Sequence, residues 1–157
     1  MGIEIERKFL VDHEQWRQLS KPAGKHYRQG YILSDDIKTI RVRVTDEHGY
    51  ITIKGKTKGI SRLEYEYIIP VNEGVELLNN FATSELEKTR YCINYEGKIW
   101  EVDDFLGENQ GLLVAEIELE DEAEKFKLPP WITVEVTGDK KYYNSALSLN
   151  PFKGWPE

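Results

Sequence analysis

One cysteine, Cys92, stands among 157 residues, so an internal disulfide is excluded and no cysteine cluster exists to hold structural zinc. Histidine is scarce too: His13, His26 and His48 fall at irregular spacing and form no metal-ligand pattern. A serine or cysteine nucleophile with a histidine base therefore has no support. No apolar run approaches the roughly 20 residues of a membrane span, and the N-terminus carries charge where a secretion signal would be apolar. The expectation is a cytoplasmic protein that does not enter membranes. No GxxxxGK[ST] segment is present, which removes P-loop phosphate chemistry. Positive charge is the minority sign, 21 Lys+Arg against 28 Asp+Glu for a net charge of −7. A general nucleic-acid binder needs the opposite balance, so no nucleic-acid partner is expected.

What the chain does have is charge arranged in a period of two. In IEIERKF (3–9), Ile3, Ile5, Arg7 and Phe9 fall on one side of an extended strand and Glu4, Glu6 and Lys8 on the other. The pattern recurs in predicted strands over 38–44, 50–56, 62–69, 88–95, 98–105 and 114–120, with less charged strands over 27–33 and 131–137. Arg41/Arg43, Lys54/Lys56, Arg62/Glu64/Glu66, Lys88/Arg90, Glu101/Asp103 and Glu116/Glu118/Glu120 each lie opposite an apolar row. Three helices are predicted. A short one follows Asp12, with Gln15 at the capping-box position; one starts near Asn72 and carries Val75 and Leu78 inward; one closes the chain over 138–149, capped by Asp139. No linker, repeat or low-complexity tract divides residues 1–157, so one domain is expected.

A flat sheet exposing these rows to solvent would set Arg41/Arg43 beside Lys54/Lys56 across a hairpin, and like charges opposite one another destabilise a sheet. Rolling the sheet into a barrel turns the charged faces toward a wet lumen and the apolar faces outward, beneath the helices. The one-sided solvated sheet is the alternative. Inside such a lumen acids and bases nearly balance. Arginine and lysine suit a polyphosphate chain. The carboxylates suit Mg²⁺ or Mn²⁺, one or two ions, as hard cations that bridge to phosphate. That combination points to metal-assisted phosphoryl transfer.

The ordered series resembles a family. E-I-E-R-K (4–8) matches the E-x-E-x-K signature of the CYTH superfamily, the triphosphate tunnel metalloenzymes, and R-x-R (41–43), K-x-K (54–56), E-x-E (64–66), K-x-R (88–90), E-x-D (101–103) and E-x-E (116–118) follow in its order. The resemblance covers nearly the whole chain. It implies an α+β fold, an eight-stranded antiparallel β-barrel with a charged lumen and helices packed outside, forming one CYTH-like domain over 1–157. It also implies roles. Glu4, Glu6 and Lys8 are the catalytic candidates; Glu4, Glu6, Glu101, Asp103, Glu116 and Glu118 would hold metal; Lys8, Arg41, Arg43, Lys54, Lys56, Lys88 and Arg90 would hold phosphates. Arg62, Glu64 and Glu66 fit ion pairing as well as contact, Glu120 fits the solvent-facing mouth, and Lys140 or Lys141 near the closing helix is a further contact candidate. The leading expectation is hydrolysis of inorganic triphosphate to diphosphate and phosphate, as in the small bacterial inorganic triphosphatases. Thiamine or nucleoside triphosphate hydrolysis, class IV-type adenylate cyclisation and a non-enzymatic polyphosphate-binding barrel are the alternatives. Tyr27, Tyr31, Tyr142 and Tyr143 are the only residues offered for stacking a base, against a packing role. Oligomeric state is not legible.

Overall fold

A computed structural model describes residues 2–156. The alternating segments become nine strands: β1 (Gly2–Val11), β2 (Lys25–Ser34), β3 (Lys38–Val44), β4 (Gly49–Gly55), β5 (Ser61–Ile69), β6 (Ser84–Tyr95), β7 (Lys98–Phe105), β8 (Leu113–Glu118) and β9 (Ile132–Glu135). Their order is β5-β4-β3-β2-β6-β7-β8-β1, and an additional pairing of β1 with β5 closes the sheet into an eight-stranded antiparallel barrel. Closure leaves the eight strands without a free edge. β1 serves two partners along one side because it is long. Gly2–Ile5 pair with β5, Phe9 and Val11 pair with β9, and Glu6–Leu10 pair with β8.

The predicted strand over 50–56 ends one residue early, at Gly55, and the strand predicted over 114–120 stops at Glu118. α1 (His13–Gln18) is capped as expected, the Asp12 carboxylate accepting from the Gln15 amide. α2 (Val71–Phe81) presents Leu78 to the barrel wall. The closing segment differs from the single helix over 138–149. Asp139 caps a 3₁₀ turn, Lys140–Tyr142; extended backbone at Tyr143 (φ −66°, ψ 137°) breaks the run, and α3 (Asn144–Leu149) follows.

Three apolar clusters hold this frame. Outside the barrel, Phe9, Trp100, Ile117 and Val102 pack beneath Trp16 of α1 and Trp131, with ring pairs meeting edge to face. Val42, Val44 and Leu78 form a smaller cluster under α2. The third cluster positions the site: Leu86, Phe105 and Val114, on the same strand faces as the charged residues, meet Tyr142 and Leu147 of the C-terminal segment. Burying Leu147, wholly inaccessible, contributes about 1.5–3 kcal/mol. The lumen is stoppered at this end and can hold ligands only beyond it.

Candidate active site

Alternation along seven strands sends charged side chains into one cavity of about 230 Å³. Glu4, Glu6 and Lys8 reach it from β1, Arg41 and Arg43 from β3, Lys54 from β4, Lys88 and Arg90 from β6, Glu101 from β7, and Glu116 and Glu118 from β8. Arg62, Glu64 and Glu66 of β5 line it as well. Most of this charge is buried, an expensive arrangement unless each group finds a partner or a ligand.

The β6–β7 wall is paired. Both Asp103 oxygens accept from Arg90, at 2.7 and 2.9 Å, and one also accepts from the Lys88 ammonium at 2.7 Å. Burial alone would raise Asp103, but Arg90 and Lys88 outweigh it and hold the carboxyl below its usual range. Lys88 also donates to Asn144 Oδ1 at 2.8 Å. Burial, with Arg90 and Arg43 nearby, makes the Lys88 proton easier to lose than an exposed lysine's, against the pull of Asp103. Asn144 further accepts from Gln29, whose own carbonyl accepts from Arg43 at 3.0 Å. The first residue of α3 thus ties the stopper to the cations. Tyr27 contributes differently, with its ring centroid 4.7 Å from the Arg43 guanidinium, 5.1 Å from that of Arg90 and 6.0 Å from the Lys88 ammonium. A π-face lies among three like charges, easing their repulsion.

Elsewhere charges are crowded by their own sign. Arg43 is lowered to about 10 by burial and by Arg41 and Arg90, and Arg41 Nε is buried without any partner. Arg43 lines the cavity and, among the described residues, pairs with no carboxylate. On β1, β7 and β8 the crowding is acidic: Glu6 stands directly opposite Glu118, and Glu116 opposite Glu101. Burial, together with Glu116 and Glu4, pushes Glu6 well above the ordinary carboxylate range. Glu116 goes the other way despite its burial, because Lys8, 3.7 Å from it, and Arg90 favour its charge. Glu4 is likewise desolvated, but Lys54 at 3.0 Å and Arg62 at 3.1 Å bring it down to about 2.

The structure revises three assignments. Asp103 is 1% exposed and does not line the cavity; with both oxygens bound by Arg90 and Lys88, it is a counter-charge beneath the cations, not a free metal ligand. Lys56 follows the end of β4, is exposed and lies outside the lining. Lys140 and Lys141 are also exposed, and the Lys141 ammonium sits over Tyr142 and Trp155 rather than in the cavity. The β5 charges are ion-paired, Lys54 with Glu64 and Arg41 with Glu66, and Glu120 is exposed. Among the tyrosines, Tyr31 and Tyr143 line the cavity, whereas Tyr142 packs in the stopper. Gln29 and Asn144 carried no motif; the only signal for Gln29 was its inward parity between Tyr27 and Tyr31. Thr57, Gly59 and Ile60 line the mouth because their loop is pinned by Glu122, which accepts from the Ile60 amide at 3.1 Å. At Gly59 a left-handed φ of +63° strains any residue with a Cβ, which would also push aside the Glu122 carboxylate 2.7 Å away.

For a divalent cation the donors are of the right kind. Glu4, Glu6, Glu101, Glu116 and Glu118 are all-oxygen ligands suited to hard ions, and Glu6 faces Glu118 across β1 and β8. Among the described residues, however, no three acids already converge in a metal-holding arrangement. Lysines and arginines occupy part of their coordination instead.

Comparisons with known proteins agree with this architecture. The family model described as the CYTH domain matches residues 2–149. An inorganic triphosphatase of Acetivibrio thermocellus is 54% identical over 158 residues, covering 100% of both chains. One from Nitrosomonas europaea is 37% identical over 155 residues, covering 94% of this chain and 97% of its own. A solved inorganic triphosphatase structure superposes with a TM-score of 0.64 at 35% identity, over 93% of this chain and 94% of that one.

Proposed function

The chain belongs to the CYTH domain family, and from that premise we propose that it is a metal-dependent inorganic triphosphatase, cleaving triphosphate to diphosphate and phosphate within the barrel. The observation that carries this reading is the pair of opposite charge crowdings in one cavity: arginines short of anions beside carboxylates short of cations. A triphosphate relieves the first and a divalent cation the second.

Lys8, Arg41, Arg43, Lys54, Lys88 and Arg90 grip the phosphate chain. Arginine contributes paired donors. Glu4, Glu6, Glu101, Glu116 and Glu118 would hold Mg²⁺ or Mn²⁺, one or two ions, which would supply polarisation of a phosphoryl oxygen and a lowered water pKa. Water attacks the terminal phosphorus, the P–O bond to the bridging oxygen breaks, and its electron pair leaves on diphosphate. The guanidinium and ammonium groups neutralise charge that spreads over the transferring phosphoryl, and their tethering to Asp103, Gln29 and Asn144 means little reorganisation is needed.

Phosphate release from tripolyphosphate, ATP and thiamine triphosphate, measured in parallel with Mg²⁺, Mn²⁺ or chelator, tests the proposal. Rapid release from tripolyphosphate that chelation abolishes is expected. Binding of tripolyphosphate without turnover under every condition would leave a polyphosphate-binding barrel instead.

A further inference from the structure

One cation in the cavity is handled differently from the rest. Among the described residues, Lys8, Arg41, Lys54, Arg62, Lys88 and Arg90 each lie within salt-bridge distance of a carboxylate, and Arg43 does not. Strand register explains the exception. Arg90 stands opposite Asp103 and Lys54 opposite Glu64, whereas Arg43 is flanked by Gln29 on β2 and Tyr50 on β4. Its Nε donates to Gln29 Oε1 at 3.0 Å. Gln29 is completely buried and does not line the cavity, so it acts only through its neighbours. Its amide has a single orientation. A guanidinium can only donate, which fixes Oε1 toward Arg43 and turns Nε2 toward the Tyr31 hydroxyl at 3.0 Å and Asn144 Oδ1 at 3.3 Å. An ammonium also only donates, and Lys88 lies 2.8 Å from that same Asn144 oxygen. Two neutral amides thus connect Arg43 to Lys88, and neither adds negative charge.

We propose that Gln29 is a positioning residue for triphosphate binding: it holds the Arg43 guanidinium in place through a neutral acceptor, leaving the positive charge of Arg43 uncommitted for the phosphate chain. The inference rests on the triphosphatase reading and adds to it a reason for an amide at this position. A glutamate would accept from Arg43 equally well, but it would also neutralise it. In a desolvated site a carboxylate attracts a guanidinium far more strongly than in water, so an incoming phosphate would have to compete with it. The exchange would reach Lys88 as well. A carboxylate oxygen in the place of Nε2 would meet Asn144 Oδ1, acceptor against acceptor, and the Asn144 amide would have to turn over, withdrawing its oxygen from Lys88. The neutral link therefore serves both cations, orienting each without drawing on its charge.

Calorimetric titration of tripolyphosphate into the full-length protein in chelator, beside steady-state turnover with Mg²⁺, tests this on the wild type, Gln29→Glu and Gln29→Met. Circular dichroism checks that each is folded. Gln29→Glu keeps the acceptor and adds a charge; Gln29→Met keeps the approximate volume and removes the acceptor. The dissociation constant is expected to rise about 10–100-fold in Gln29→Glu, the size of one lost charge-assisted contact, and about 3–10-fold in Gln29→Met. KM is expected to rise in the same order, with kcat changing less than KM. A purely structural role gives the reverse order, because only Gln29→Glu preserves the hydrogen bond to Arg43; that order, or equal affinities, overturns the proposal. If Gln29→Glu does not fold, Tyr50→Glu sets a carboxylate on the other flank of Arg43, and an unchanged affinity there overturns it. A wild type that binds tripolyphosphate without turnover removes the triphosphatase reading, and the order of dissociation constants still decides this inference. A wild type that does not bind it overturns both.

Discussion

Two parts of the cavity wall treat buried charge in opposite ways. On β6 and β7, Asp103 is fully enclosed by the donors of Lys88 and Arg90, and like charges are separated by the ring of Tyr27. Between β1 and β8 a carboxylate faces a carboxylate, Glu6 opposite Glu118, and Glu6 is pushed well above the ordinary carboxylate range by burial, Glu116 and Glu4. A compensated network sets the shape of a site, whereas like charges held together without compensation lower the stability of the empty protein and mark where a ligand of opposite charge is received. The first wall is the frame of the site and the second its working face.

The comparison breaks most visibly at Asp103. Asp103→Asn leaves Lys88 and Arg90 buried without their counter-charge, and denaturant unfolding should show a loss of about 3–5 kcal/mol. The pH dependence shares this origin. Asp103 sits below its ordinary value and Glu4 at about 2, so both add stability above their unfolded values of about 4. That stability is lost as pH falls through the lower folded values. Thermal melts from pH 5 down to pH 2 should therefore show a falling melting temperature, with Asp103→Asn flattening the curve.

Glu6→Gln acts on the other wall. It should reduce metal-dependent turnover of tripolyphosphate by at least about 100-fold in kcat while leaving the far-UV spectrum unchanged. Tyr27→Leu sharpens the distinction by removing a ring and no charge. Its KM for tripolyphosphate should rise about 2–10-fold, and Tyr27→Phe, which keeps the π-face, should restore it. The smallest effect belongs outside the barrel. Arg7 and Glu135 form a two-pronged pair, 2.6 and 2.8 Å, but each side chain is about one-third exposed, so Arg7→Ala should cost less than about 1 kcal/mol and leave turnover unchanged.

Much of this frame was legible because alternation is a backbone property. KTIRVRV and KIWEVDDF become β3 and β7 over the predicted spans, and inward parity brought Glu4, Glu6, Lys8, Arg41, Arg43, Lys54, Lys88, Arg90, Glu101, Glu116 and Glu118 to one cavity. Parity does not fix depth along the barrel. Asp103 and Glu101 share a face of β7, yet Asp103 lies beneath the cations while Glu101 reaches the cavity, because depth depends on how the tilted strands are staggered. Lys56 kept its parity only on paper, since β4 ends at Gly55. Gln29 and Asn144 were invisible for another reason: a neutral amide gains meaning only from partners that are distant in sequence, Arg43 and Lys88.

The most direct measurement of the division between frame and working face is the melting temperature of Glu6→Gln beside the wild type, metal-free, in chelator near neutral pH. The raised proton affinity of Glu6 means that its ionised form is disfavoured in the fold, so an uncharged amide should stabilise the empty barrel. About 3 °C of melting temperature accompanies each kcal/mol recovered in a chain of this size. The expected result is a higher melting temperature in the variant that has lost turnover. A lower melting temperature, or full turnover retained, would contradict the account, because Glu6 would then belong to the frame.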